Sequence, residues 1–269
     1  ITEGLDAEGG AWRKLIPADA LRYYTFDGKT YGIPFLRQCT FFFYNTKLFA
    51  KHHIKIPETW DDFLAVCQKL KDAGITPVAL GNTVKWPAHH YVSCLWQRLV
   101  GQDQLDIDYA PLGPGAYSDP GYVKGLQMFA DFAAKGYFNA SPNGTTRENA
   151  RALFYTGKAA MFYTGTWTLN NYREGGEAPK EFWDSWDWFN FPKVPGGKGD
   201  QEALMGGADG YVISSKTQQP EAAVKFLRYL GSLESARYFV KQCKELAQVK
   251  GAVTAENADE HLQKYAKQV

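Results

Sequence analysis

The sequence predicts an α/β fold, and three observations carry that prediction. Short apolar runs bounded by turn residues, such as Phe41–Tyr44 and Thr76–Leu80, read as strands. Segments with apolar residues at helical spacing lie between them, several with explicit start signals. The 269 residues, 45% of them hydrophobic, suffice to bury a sizeable core in one large domain or two smaller ones. Strands alternating with helices imply sheets covered by helices.

Taken in order, residues 23–45 read as short strands, with Asp27-Gly28 as a hairpin turn before Thr30–Pro34, and Phe41–Tyr44 as a buried strand closed by Asn45. Thr59 stands where an N-cap belongs, with Asp62 three residues on, and acidic side chains in a first turn complement the helix dipole. Phe63, Val66, Cys67 and Leu70 then repeat at helical spacing until Gly74. Thr76–Leu80 is the next strand, followed by a helix over His89–Val100 with Val92, Leu95, Trp96 and Leu99 on one face. Asp119-Pro120 opens a further helix whose expected buried stripe is Tyr122, Leu126, Phe129 and Phe132. A helix over 146–156 stops at Gly157, and Ala159–Tyr163 is a strand leading to Trp167. Trp186–Phe191 alternates as a half-buried strand does, Gly206-Gly207 precede a strand at Tyr211–Ile213, and two amphipathic helices cover about 219–230 and 232–244. There is no repeat and no low-complexity tract.

Composition removes several function classes. Thirty Lys plus Arg against 29 Asp plus Glu leave a net charge of +1, with no basic stripe of the kind nucleic acid requires. No apolar run reaches the roughly 20 residues that span a bilayer. The four cysteines, Cys39, Cys67, Cys94 and Cys243, form no C-x-x-C pair, which argues against zinc or thioredoxin-like chemistry. Buried thiols are expected, and the spacing leaves one disulfide and the redox compartment open. His52-His53 and His89-His90 are adjacent rather than four apart, so no metal site is expected, and no cofactor-binding fingerprint is visible. Aromatics are the outlier at 15%, more than an aliphatic core would need, and point to a neutral, partly apolar ligand.

The stretch from Met161 to Tyr172 is the most pointed. A strand ends in Gly165, and Trp167 stands at the mouth of an expected helix. An indole offers stacking area, and nearby backbone N–H groups offer donors, which suits a flat apolar face ringed by hydroxyls, as in a sugar. The plainer alternative is a core tryptophan plugging a strand-to-helix turn.

In order along the chain, Tyr31–Pro34, Phe43–Phe49, Ile56–Phe63, Gly74–Ala79, Phe154–Met161, Gly165–Trp167, Gly206-Gly207 and Pro220–Ala223 resemble the extracellular solute-binding proteins of ATP-binding-cassette sugar importers, family 1 type. The resemblance runs from about Tyr23 to Gly251. It implies a type II, two-lobe periplasmic-binding-protein-like fold with ligand in an interlobe cleft and closure about a hinge, a behaviour taken from that family rather than from these residues. On this reading residues 1–81 are part of the first lobe plus a hinge strand, 82–205 are mostly the second lobe, and 206–269 are the hinge return and C-terminal helices. The strand and helix pair that opens family members and their last helices have no counterpart here, so a fragment with an incomplete first lobe is expected.

Carried over residue by residue, the resemblance makes Trp167 the sugar-stacking residue, with Gly165 and Thr166 letting backbone approach the ligand. Gly206, Gly207, Ala208 and Asp209 belong to the same cleft, Asp209 as an acceptor for sugar hydroxyls; for Gly206 a tight strand-entry turn is the alternative. Trp86, read as a loop residue, is a second stacking surface or a cover for the next helix. Arg37 and Gln38 reach the ligand from the first lobe, Arg37 suiting a carboxylate-bearing sugar or, more plainly, forming an ion pair. The implied function is carbohydrate reception for uptake, with a membrane permease as partner, a monomeric state, a periplasmic or membrane-anchored extracellular location, and no enzymatic activity. Two other classes stay open: a glycoside hydrolase, for which Asp184 and Asp187 near Trp183 and Trp186 would be a candidate carboxylate pair, and a non-catalytic interaction module.

Overall fold

The computed structural model describes residues 1–110 and 113–269 and divides the chain into two compact units. One combines Ile1–Cys39 with Gly206–Val269, and the other is the uninterrupted stretch Thr40–Met205. The breaks thus lie at 39/40 and 205/206, against the 81/82 and 205/206 expected from the sequence.

The discontinuous unit begins with α1 (Thr2–Leu15), interrupted at Ala7–Gly10, and the short α2 (Ala18–Leu21). β1 (Thr25–Phe26) and β2 (Lys29–Thr30) form the expected hairpin, with Thr25 opposite Thr30. Its turn residues Asp27 and Gly28 both have positive φ, 49° and 71°, the primed geometry that Asp-Gly favours. β3 (Gly32–Asn45) is one strand of 14 residues, not the separate short strands expected, because a register shift between Pro34 and Leu36 absorbs the proline without ending the ladder.

Asn45 accepts from the Leu48 N–H and caps α3 (Thr46–Lys51). α4 (Trp60–Asp72) carries the full reciprocal capping box of Thr59 and Asp62, and hydrogen bonding from Thr59 holds the Asp62 carboxyl below its ordinary range. β4 (Thr76–Ala79) leads to α5 (Trp86–Leu99), which starts three residues earlier than read, and to α6 (Gln102–Asp108). α7 (Pro120–Ala134) is capped by Asp119 as expected, but its buried face is Gly121, Tyr122, Gly125 and Phe132, while Leu126 is exposed. The two glycines let α7 lie close against α5, which turns Leu126 outward. α8 (Arg147–Tyr155), β5 (Ala159–Gly165), a 3₁₀ segment at Thr166–Tyr172 and β6 (Trp186–Phe189) complete the contiguous unit.

Its sheet has the order β4-β5-β3-β6, using the Thr40–Asn45 end of β3; β4 runs parallel to β5 and the other pairs are antiparallel. Every residue of β5 is buried, as a strand covered on both faces must be. The period of two sorts the aromatics. Phe42 packs against Phe63 at 4.6 Å, Tyr163 at 4.6 Å and Phe189 at 5.3 Å on one face. Phe43 meets Trp186 at 5.9 Å and Tyr172 at 6.0 Å on the other. Most of the aromatic excess is therefore core. The unit's two ends meet: the Thr40 N–H donates to the Met205 carbonyl at 2.8 Å.

In the discontinuous unit, β7 (Gly206–Val212) pairs antiparallel with Gly32–Cys39 of β3. It is followed by α9 (Pro220–Leu230), α10 (Leu233–Cys243) and α11 (Glu260–Gln268). Leu5, Trp12, Ile16, Leu21, Ile33 and Leu227 form its core. All four cysteines are free thiols. Among the described residues no helix is long and apolar enough to cross a membrane, and no cluster of metal-ligating side chains occurs.

Candidate ligand-binding site

β5 ends at Gly165 and the backbone turns into the 3₁₀ segment, where the next side chain but one folds back over the strand. A Cβ built on Gly165 would stand 2.0 Å from Cζ3 of the Trp167 indole. No side chain can occupy that position without moving the ring, although Gly165 itself has ordinary extended dihedrals (φ −89°, ψ 168°). Gly165 and Thr166 are both buried, and the indole fills the space beside Gly165. Trp167 remains half-buried. It is not sealed into the core.

Its ring neighbours come from α5. Trp86 meets the Trp167 ring edge-on, with centroids 5.9 Å apart at 74°, and His90 lies 6.1 Å from it. Trp86 is the first residue of α5 rather than a loop residue; Lys85, at φ 68°, makes the turn before it. His90, one helical turn on, has its ring centroid 4.8 Å from that of Trp86, tilted at 48°. The Arg147 guanidinium sits 5.2 Å from the Trp86 ring centre, at the start of α8. Burial, with a smaller contribution from His89, pushes the His90 imidazole down to about 4, so it is neutral at neutral pH. The result is a cluster of edge-on and tilted rings with the Arg147 guanidinium at its rim.

His90 and Arg147 escaped the sequence reading. A helix starting at Trp86 would have exposed the Trp86–His90 spacing, whereas Arg147 arrives from a distant element and leaves no local signal.

The residues expected to act from the first lobe form a second group, within the discontinuous unit. Gln38 lies opposite Gly207, Arg37 opposite Ala208 and Leu36 opposite Asp209 in the β3–β7 ladder. Gly206 and Gly207 thus begin a strand and do not make a turn ahead of it, correcting that alternative. Arg37 Nη1 pairs with Asp19 Oδ2 at 3.3 Å, the ion pair that was the plainer option. Gln38 Nε2 donates to Glu245 Oε2 at 3.3 Å, and burial together with the charge of Asp209 raises the Glu245 carboxyl above its ordinary range. The Tyr24 hydroxyl donates to the Ala208 carbonyl at 2.6 Å. Asp209 is exposed.

Of the carboxylates considered for hydrolysis, Asp187 lies within β6 and accepts from the Trp188 N–H at 2.8 Å, and Asp184 is exposed before that strand.

A sequence profile described as bacterial extracellular solute-binding protein matches residues 3–237. The chain belongs to that family. An uncharacterized ABC transporter extracellular-binding protein of Pyrococcus horikoshii is 29% identical over 84% of this chain and 49% of its own length. The multiple sugar-binding protein of Streptococcus mutans is 26% identical over 77% of this chain and 48% of its own. The chain spans about half the length of these curated relatives.

Among solved structures, a chitin oligosaccharide binding protein superposes with a TM-score of 0.83 at 25% identity, over 99% of this chain and 65% of that one. A structure solved in work on xylan utilization by the thermophilic bacterium Caldanaerobius polysaccharolyticus gives 0.86 at 24% identity, over 98% and 67%. The fold is therefore of the type II periplasmic-binding-protein kind expected from the sequence, and the family is one of solute-binding proteins, not of enzymes.

Proposed function

We propose that the protein is the carbohydrate-binding component of an ABC-type uptake system, located in the periplasm or outside the cell membrane, and that Trp167 is its stacking platform. The observation that carries this reading is the half-buried indole pinned over Gly165 and braced by Trp86 and His90. A ring held that way has already lost its rotamer freedom, so stacking a pyranose on it costs little further ordering. Family membership and the sugar-binding relatives support the ligand class. Thr166 and Gly165 act in this proposal by placing the indole, and Trp86 as its brace and a second surface.

Arg37, Gln38, Gly207, Ala208 and Asp209, all of the discontinuous unit, are proposed as polar contacts for sugar hydroxyls, and a membrane permease receives the loaded, monomeric protein. A micromolar ligand corresponds to about −8 kcal/mol, within reach of stacking and several hydrogen bonds at about 0.5–1.5 kcal/mol each.

The test is a thermal-shift screen against mono- and oligosaccharides, repeated on Trp167→Ala. At least one sugar is expected to raise the melting temperature of the wild type and to leave the variant unmoved while the variant's own melting stays cooperative. An equal rise in both proteins would remove Trp167 from the site.

A further inference from the structure

We infer a second pyranose-sized pocket on the contiguous unit, between α5 and α6, built on Trp96 and Gln97. The cavity holds about 270 Å³ and is lined by Ser93, Trp96 and Gln97 from α5 and by Gln102, Leu105, Asp106 and Tyr109 from α6 and its C-terminal end. That volume suits one sugar ring rather than a larger cofactor.

Trp96 is fixed before any ligand arrives. Its Nε1–H donates to the Tyr122 carbonyl at 3.0 Å, its ring meets Tyr122 edge-on at 5.4 Å, and its edge lies where a Cβ on Gly125 would stand 2.8 Å from Cδ1. The ring is nonetheless only half-buried.

Beside it, the Gln97 Oε1 is buried with no hydrogen-bond partner among the described residues. A buried acceptor left in that state costs about 1–3 kcal/mol, and a ligand hydroxyl would relieve it. On the other wall Gln102 Nε2 already donates to Asp106 Oδ1 at 2.7 Å, so that carboxylate is oriented.

The lining contains one carboxylate, two amides, two hydroxyl-bearing side chains and no cation, which disfavours anions and suits a neutral polyol with one apolar face. This inference stands apart from the Trp167 platform and does not depend on it.

The test follows the Trp96 indole N–H signal in ¹H–¹⁵N spectra, assigned with Trp96→Phe, while D-glucose, D-galactose and D-xylose are titrated to about 100 mM in turn. A lone ring in an open pocket is expected to bind with a dissociation constant of about 1–10 mM. The signal should shift saturably with at least one of the sugars in the wild type and in Trp167→Ala. Gln97→Leu and Asp106→Ala should each weaken that binding about five- to tenfold; Asp106 is exposed, so the second variant is informative even if the first folds poorly. Four results overturn the inference: no saturable shift with any of the three sugars, a shift lost in Trp167→Ala, binding unchanged in a folded Asp106→Ala, or a saturable response to methylammonium in place of the sugars.

Discussion

At the scale of single residues, the platform depends on what Gly165 lacks. The indole of Trp167 occupies the place a Cβ would take, so Gly165→Ala pushes the ring off its seat without disturbing the extended backbone. Forcing a methyl into a packed position costs about 1–3 kcal/mol. We expect Gly165→Ala to lower stability by that amount in urea unfolding and to weaken sugar binding well beyond it, because a displaced indole no longer presents its face.

His90 gives the cluster a pH signature. Its folded-state value of about 4 lies below the ordinary 6.5, so between those values the unfolded chain binds the proton more readily. Its contribution to stability is complete above pH 6.5, falls as pH drops toward 4, and changes no further below that. The groups facing it are His89, Trp86 and Trp167, with Arg147 beyond Trp86. Between pH 7 and 4 the melting temperature of His90→Gln should fall less than that of the wild type; parallel curves would mean that the imidazole is not held neutral.

At the scale of elements, the local signals are the ones that read well from sequence. Thr59 and Asp62 satisfy each other's backbone donors within a single turn, so nothing distant has to be known to place that helix start. Thr59→Ala should cost about 1 kcal/mol in chemical denaturation, and a smaller loss in the Asp62→Asn background would identify the shared cap. The Asp27-Gly28 hairpin and the Asp119 cap were legible for the same reason.

What sequence could not show depends on partners. Leu126 fits the apolar stripe of α7, yet Gly121 and Gly125 set which face meets α5, and they turn it outward. Gly206-Gly207 look like a turn until Gln38 and Cys39 are found paired opposite them. In the candidate site, Trp167 was legible because Gly165 lies two residues before it in sequence. Arg147 was not, because only the packing of α8 near α5 brings it to Trp86.

At the scale of the whole molecule, the chain comprises one contiguous unit and one discontinuous unit whose sequence the first interrupts. The contiguous unit has its own aromatic core and sheet, and its ends close on each other through Thr40 and Met205. Residues 40–205 expressed alone should therefore fold and melt cooperatively, with near-ultraviolet circular dichroism from the packed tryptophans; loss of that signal would show that the unit needs the rest of the chain.

The central claim concerns where a sugar sits, and a crystal structure with the sugar that the thermal screen selects tests it most directly. We predict a pyranose ring stacked within about 4 Å of the Trp167 indole face, a normal van der Waals separation. A sugar bound with no atom near Trp167, the indole unmoved and uncontacted, would contradict the account.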